Sequence, residues 1–383
     1  MNRFTGRRGK AGAIAATAAV AVSALALSHA GIAHGTAIRV ADTAVDGTTA
    51  SAAAQAAVTS YQGSVLNTED ANRVSLITAL QSAQPASYAM KDANGSTMDT
   101  AKIIQVGNTY YAVYSPNSQS VILASSPTLY GTWTPLATLD DSNASQPYLA
   151  QMSDGSFVLA DEYLVGGIAS DSAINFKHYA SVSALSAGQS DYSYQTLLTL
   201  SECHEGTPDI HSTNLASIQV GFHYDSSCLG SQLDQEAFGT LTGFTSPTSV
   251  PTWTTTPDTV RDAALDNAAT PWTNPGGYPG KHGGRDDVLW RGGRYSIGEA
   301  QMSSQTSLYS NWRLTLYDYS NDTAYPIVLN MLSSCAANPK ASLVTDTTDG
   351  SPVLVLTAFI FGGSVGCAVA NENGEFMEVI PAQ

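Results

Sequence analysis

Apolar and polar positions alternate along much of this chain in short runs, broken by Gly, Asn, Asp and Ser. Alternation of this kind predicts strands that bury one face. The runs recur as a unit. DTAKIIQVGNTYYAVYS starts at Asp99, SQPYLAQMSDGSFVLADEY at Ser145, HEGTPDIHSTNLASIQVGFHYD at His204 and RDDVLWRGGRYSIGEAQ at Arg285, with a less regular copy near Ala341. The intervals are 46, 59 and 81 residues. A loose period of this size is the mark of propeller blades. The expected fold is all-β: a five-bladed β-propeller of antiparallel four-stranded blades.

Within the first unit, Lys102–Val106 and Thr109–Tyr114 read as a hairpin about Gly107-Asn108, and Ser153-Asp154-Gly155 makes the same turn in the second. Residues 75–80 and 87–91 read as strands of an incomplete unit able to close the ring. The stretch 251–284 is rich in Pro, Gly, Thr and Asn and reads as a long loop with a helical turn over 259–267. Residues 61–383 are expected to form one domain.

The chain opens on a basic head (Arg3, Arg7, Arg8, Lys10), an apolar or small run and Ser28-His29-Ala30. Residues 1–30 therefore read as an export signal, and the Ala-, Thr- and Ser-rich 31–60 as a loose N-terminal arm. An exported chain tolerates disulfides. Four cysteines allow three pairings; Cys203 with Cys228 and Cys335 with Cys367 would each staple one unit. No cysteine spacing suggests zinc.

Of the 16 basic residues four lie in the leader, which leaves 12 against 32 acidic ones, a formal charge of -20. Such a balance excludes a nucleic-acid backbone as partner and disfavours anionic membranes. A secreted monomer with a neutral substrate is expected.

Strands alternate in direction, so the starts of the first strands and the ends of the second strands converge on one face of the ring. Blade one brings Asp99 and Ser115 there, blade two Gln146, Asp161 and Glu162, blade three Glu205, Asp209, His223, Asp225, Asp234 and Glu236, and blade four His282, Arg285, Asp286, Glu299 and Gln301, with Tyr114 and Trp290 among the aromatics nearby in sequence. Carboxylates with aromatic platforms fit a carbohydrate. Glu299 stands inside the apolar run SIGEAQM and needs a partner; Arg285 or Arg313 would serve a structural role. His223, in VGFHY, has the alternative of a satisfied core histidine.

These phrases resemble the five-bladed propeller glycoside hydrolases of the arabinanase, xylosidase and fructan-hydrolase kind. The resemblance places the family's base or nucleophile on Asp99 and its general acid on Glu205, and implies two-carboxylate hydrolysis of an arabinofuranose- or related pentose-containing saccharide. The chain departs from the pattern at three points. Gln146-Pro147 stands where the family has Asp-Pro, Thr100 follows Asp99 instead of Pro, and Glu205 is one residue farther from its proline. No cofactor is required for the acid–base step, and an acidic axial channel leaves room for a structural Ca2+. Two other functions stay open: a carbohydrate-binding propeller without turnover, and a polysaccharide lyase with His223 or a tyrosine as base and Arg285 on a uronate.

Overall fold

The computed structural model describes residues 68–165, 171–228, 234–269, 281–301, 312–331, 335–360, 367 and 372–382. The expected export signal and arm lie outside these residues. Helix α1 (Thr68–Ser82) and strand β1 (Pro85–Ser87) precede the ring. Blade one is β2 (Lys102–Val106), β3 (Thr109–Tyr114), β4 (Val121–Ser126) and β5 (Thr134–Asp140). Blade two is β6 (Ala144–Gln151), β7 (Phe157–Leu164), β8 (Ser172–Tyr179) and, after α2 (Val182–Ser186), β9 (Tyr192–Gln195). Blade three is β10 (Glu205–Ile210), β11 (Ser217–Asp225), β12 (Asp234–Thr242) and β13 (Thr252–Pro257), followed by α3 (Thr259–Ala269). Blade four is β14 (His282–Trp290), β15 (Gly293–Gln301), β16 (Trp312–Asp318) and β17 (Thr323–Pro326). Blade five is β18 (Ala337–Thr345), β19 (Pro352–Ile360) and β20 (Gly374–Pro381), and its outer strand is β1. Each blade is a four-stranded antiparallel sheet, so the chain folds as the five-bladed propeller its rhythm predicts.

Two assignments change. Residues 75–80 lie in α1, not in a strand. Leu76, Ile77 and Leu80 share one helical face and pack into the core of blades four and five. Only β1 closes the ring, pairing Pro85 with Glu378 and Ser87 with Met377. The stretch 251–284, expected as a loop with a helical turn over 259–267, holds that turn as α3 and also the strand β13. Trp253 of β13 packs against Phe222 and Phe176 at 5.8 Å, and Ala264, Leu265 and Ala268 of α3 pack on Tyr317.

The apolar core lies between blades rather than within them. Val158 and Phe176 of blade two meet Val220 and Phe222 of blade three, and equivalent seams join the other neighbours. Disulfides Cys203–Cys228 and Cys335–Cys367 are formed, as expected from the spacing. They fit an oxidising compartment. Among the described residues no helix is long and apolar enough to cross a membrane.

The axis is filled by one buried residue from the innermost strand of each blade: Lys102, Tyr148, Asp209, Asp286 and Lys340. Asp286 takes the Lys102 ammonium at 2.6 Å and the Tyr148 hydroxyl at 2.9 Å. Both ammonium groups lie over the Tyr148 ring, at 4.3 and 5.4 Å from its centroid. Lys340 also reaches the Pro208 carbonyl of blade three. Two lysines thus supply the positive charge along the axis, where a Ca2+ was considered.

Glu378 in β20 is buried with neither carboxyl oxygen hydrogen-bonded. Burial pushes its carboxyl up to about 8. A folded value above the unfolded one contributes stability that is full at low pH and lost as pH rises through the folded value. We expect the stability of the protein to fall between pH 5 and 9, and Glu378→Gln to flatten that fall by about 1–4 kcal/mol. Urea denaturation across this range checks it; an equally steep fall in the variant contradicts an unpaired Glu378.

Candidate functional site

The innermost strands begin with a shared irregularity. Bulges interrupt the pairing at Ser145/Tyr148, Gly206/Asp209 and Ala337/Lys340. Gln146, Thr207 and Asn338 at these bulges, and Thr100 just before β2, hold φ at 48°, 49°, 54° and 53°, the left-handed region that non-glycine residues seldom enter. Buried carboxylates brace three of them. Glu375 accepts the amides of Thr100 and Ala101, both at 3.1 Å. Glu162 accepts that of Thr207 at 3.1 Å, and Glu299 that of Asn338 at 2.6 Å. The bulges turn the strand starts into a rim of polar groups.

Several of those groups are unsatisfied. Asp99 Oδ1, Ser115 Oγ, Gln146 Oε1 and His223 Nδ1 are buried atoms without a hydrogen-bond partner. Asp99 and Ser115 are adjacent across blade one, where the Ser115 amide donates to the Asp99 carbonyl at 2.9 Å. Burial pushes the Asp99 carboxyl up to about 6. Glu375 is pushed well up by its own burial and then by the charge of Asp99, so the two carboxyls resist ionising together.

Glu299 does not pair with Arg285 or Arg313. Its oxygens accept the Gly284 amide at 2.8 Å and the Asn338 amide. Burial nevertheless pushes it up to about 7, against those amides. Its carboxylate lies over Gly283, where an added Cβ would stand 2.1 Å from Oε1. Glu162 does the same over Gly206, with Oε2 2.5 Å from such a Cβ. Both acids fill space that a side chain on the neighbouring innermost strand would otherwise occupy.

That arrangement corrects the reading of Glu205. Its carboxylate accepts the amides of Thr199 and Leu200 at 2.6 Å and of Ser201 at 3.3 Å. Thr199 is bonded in turn to Thr255 of the outer strand β13. Glu205 pairs with Tyr224 and Gly206 with His223, and a bulge separates them from Asp209. Glu205 anchors a loop, and Gly206 begins the rim.

The other candidates divide. Gln146 is at the rim in a strained backbone, and His223 is there too, its Nε2 3.0 Å from the Thr207 hydroxyl. Burial pulls His223 down to about 3, so it stays neutral. Asp161 is fully buried and pushed well up by that burial. Asp209 and Asp286 belong to the axial cluster; against the upward push of burial, His211 and Arg285 hold Asp209 well below the carboxylate range. Arg285 is fully buried against Glu236 at 2.9 Å, the Ala237 carbonyl, Asp209 and Asp258, so its guanidinium is taken and does not face a uronate. Tyr114 is a core residue whose hydroxyl donates to Asp92. Trp290 closes the far end of β14 and packs in the core of blades four and five. Neither ring is a stacking platform at the rim. At that far end a cavity of ≈ 670 Å³ is lined by Gln105, Thr213, Leu289 and Arg291 among others. Its one carboxylate, Asp287, is paired with Arg294 at 2.6 Å.

Among solved structures the chain is similar to a thermostable family-43 glycoside hydrolase, with a TM-score of 0.50 and 10% identity over 76% of this chain and 92% of that one. The fold resembles that of the family-43 propellers. An endo-arabinase from Bacteroides thetaiotaomicron aligns at a TM-score of 0.46 and 8% identity, covering 75% of this chain and 94% of that chain. An α-L-arabinofuranosidase from Lactobacillus brevis aligns at 0.45 and 8%, covering 74% and 90%. No protein-family model and no curated protein sequence matches the chain.

Relative to the family-43 resemblance, Glu205 is reassigned from proton donor to loop anchor. Glu205→Ala leaves three amides without their acceptor and is expected to cost about 2–4 kcal/mol of stability. Chemical denaturation measures it; a loss below about 0.5 kcal/mol, the scale of an ordinary surface change, contradicts the anchoring role.

Proposed function

We propose that this chain is a secreted glycoside hydrolase that cleaves an arabinofuranose- or related pentose-containing saccharide at the rim of the innermost strands. The observation that carries the proposal is the set of unsatisfied polar atoms there, Asp99 Oδ1, Ser115 Oγ and Gln146 Oε1. Buried polar atoms ordinarily have partners, and a sugar's hydroxyls would supply them. The neutral rim groups and the net acidity of the chain favour an uncharged substrate over a uronate. The disulfides and the leader-like start support export.

In this reading Asp99 is the ionised carboxylate that activates water or attacks the anomeric carbon. Glu299 replaces Glu205 as the acid that protonates the leaving oxygen. Their environments support the division of roles. Asp99 loses its proton near 6 while Glu299 keeps its own to about 7, and opposite proton states between those values are what the reaction requires. Gln146 orients the sugar through its amide without adding charge.

Hydrolysis of arabinan, arabinogalactan, xylan and fructan tests the proposal. We expect release of sugar from a pentose polymer, with a bell-shaped kcat/KM profile whose maximum lies between pH 6 and 7. Asp99→Asn and Glu299→Gln should each lower kcat by about 100-fold or more, and Glu299→Gln should remove the alkaline limb. Full activity in either variant overturns the assignment. A second reading, a binding propeller without turnover, is favoured by Gln146 standing where a third carboxylate is needed. Saturable binding of the same polymers with no product from wild type would establish it.

A further inference from the structure

His204, at the entry to blade three, and His223, at the end of β11, lie with their rings 5.0 Å apart, centroid to centroid. Asp234 opens β12 beside them. One ligand atom from each of the three converges within 4.8 Å of the others. The bonds around this trio sort its atoms into an inner and an outer set. His204 Nδ1 is 2.7 Å from the Ser172 hydroxyl, which leaves its Nε2 for the centre. His223 Nε2 meets the Thr207 hydroxyl, and its Nδ1, on a side chain 11% exposed, has no hydrogen-bond partner and lies 3.9 Å from Asp234 Oδ1. Asp234 Oδ2 is 3.3 Å from the Lys281 ammonium, which leaves Oδ1 facing the histidines. Each imidazole is thus oriented by a hydroxyl on one nitrogen and left open on the other. That is the way metal-bound histidines are held.

We propose that His204, His223 and Asp234 form a binding site for Zn2+ or a similar divalent transition metal. Two imidazole nitrogens and one carboxylate oxygen are the donor set of three-ligand zinc sites, with the fourth position open to water or a hydroxyl. A tetrahedral ion needs its ligand atoms roughly 3.3 Å apart, so the trio closes by less than an ångström between His223 and Asp234. Lys281 stays on the outer oxygen of Asp234 and balances its charge. Asp209, His211 and Asp287 form the other such cluster among the described residues, but Arg285 and Arg294 already occupy its carboxylates. The zinc site does not rest on hydrolase activity, and its test reads none.

The full chain is stripped with a chelator, dialysed, and titrated with ZnCl2 by calorimetry, with CaCl2 as a control. One zinc per chain is expected and no comparable calcium binding. Co2+ in place of zinc should give the intense visible bands of a four-coordinate site. His204→Ala and His223→Ala should each weaken zinc binding by about 100-fold or more, and Thr207→Val, which removes an orienting hydroxyl, by about 10-fold. Less than 0.1 zinc per chain, or affinity unchanged in His223→Ala, overturns the proposal. Should the histidine variants fail to fold, Asp234→Asn decides: its side chain is only partly buried, and unchanged zinc affinity there overturns the site equally.

Discussion

The ring is held at its centre by a balanced cluster of charge. Five blades each send one side chain to the axis, and the result is two ammonium groups, two carboxyls and a phenol with almost no water about them. Lys102, Asp286 and Tyr148 satisfy one another across three blades. Removing one member would leave a buried charge uncompensated, which generally costs several kcal/mol. The cluster also closes the axis, so the two ends of the propeller are separate surfaces: one carries the acids and strained bulges, the other a cavity with a single paired carboxylate.

The rim depends on that closed centre. Four non-glycine residues in left-handed conformations cost energy that their surroundings must offset. Glu375, Glu162 and Glu299 do so by accepting the amides that the bulges turn inward. The same three carboxyls are buried beside the proposed site. In Glu375 and Glu299 the structural duty and the raised proton affinity have one cause, the removal of water from the seams between blades.

Strand rhythm made the blades legible. The hairpin of blade one lies where Gly107-Asn108 places it, because a two-residue turn fixes the register of both strands. Function was less legible, since it turns on single-residue register. Glu205 matches a motif letter, yet its buried carboxylate is taken up by the amides of residues 199–201. Glu162 and Glu299 arrive from second strands and lie over Gly206 and Gly283, a placement no linear motif records. The helical turn read over 259–267 is α3, whereas the composition of 251–284 hid β13, whose Trp253 is its one buried residue. His204 went unmarked because its neighbour His223 is 19 positions away and becomes close only through the turn from β10 into β11.

Strand β1 takes its hydrogen bonds from β20, near the other end of the described chain. Blade five therefore cannot be completed by any growing polypeptide until the last blade has been made. Closing so large a loop is slow in the sense that long-range pairing is slow. Until it happens the edge of β20 stays open to any other extended segment. An early release of chain would thus meet the cell as four blades and an unpaired edge, with the Cys335–Cys367 link confined to the blade that finishes last.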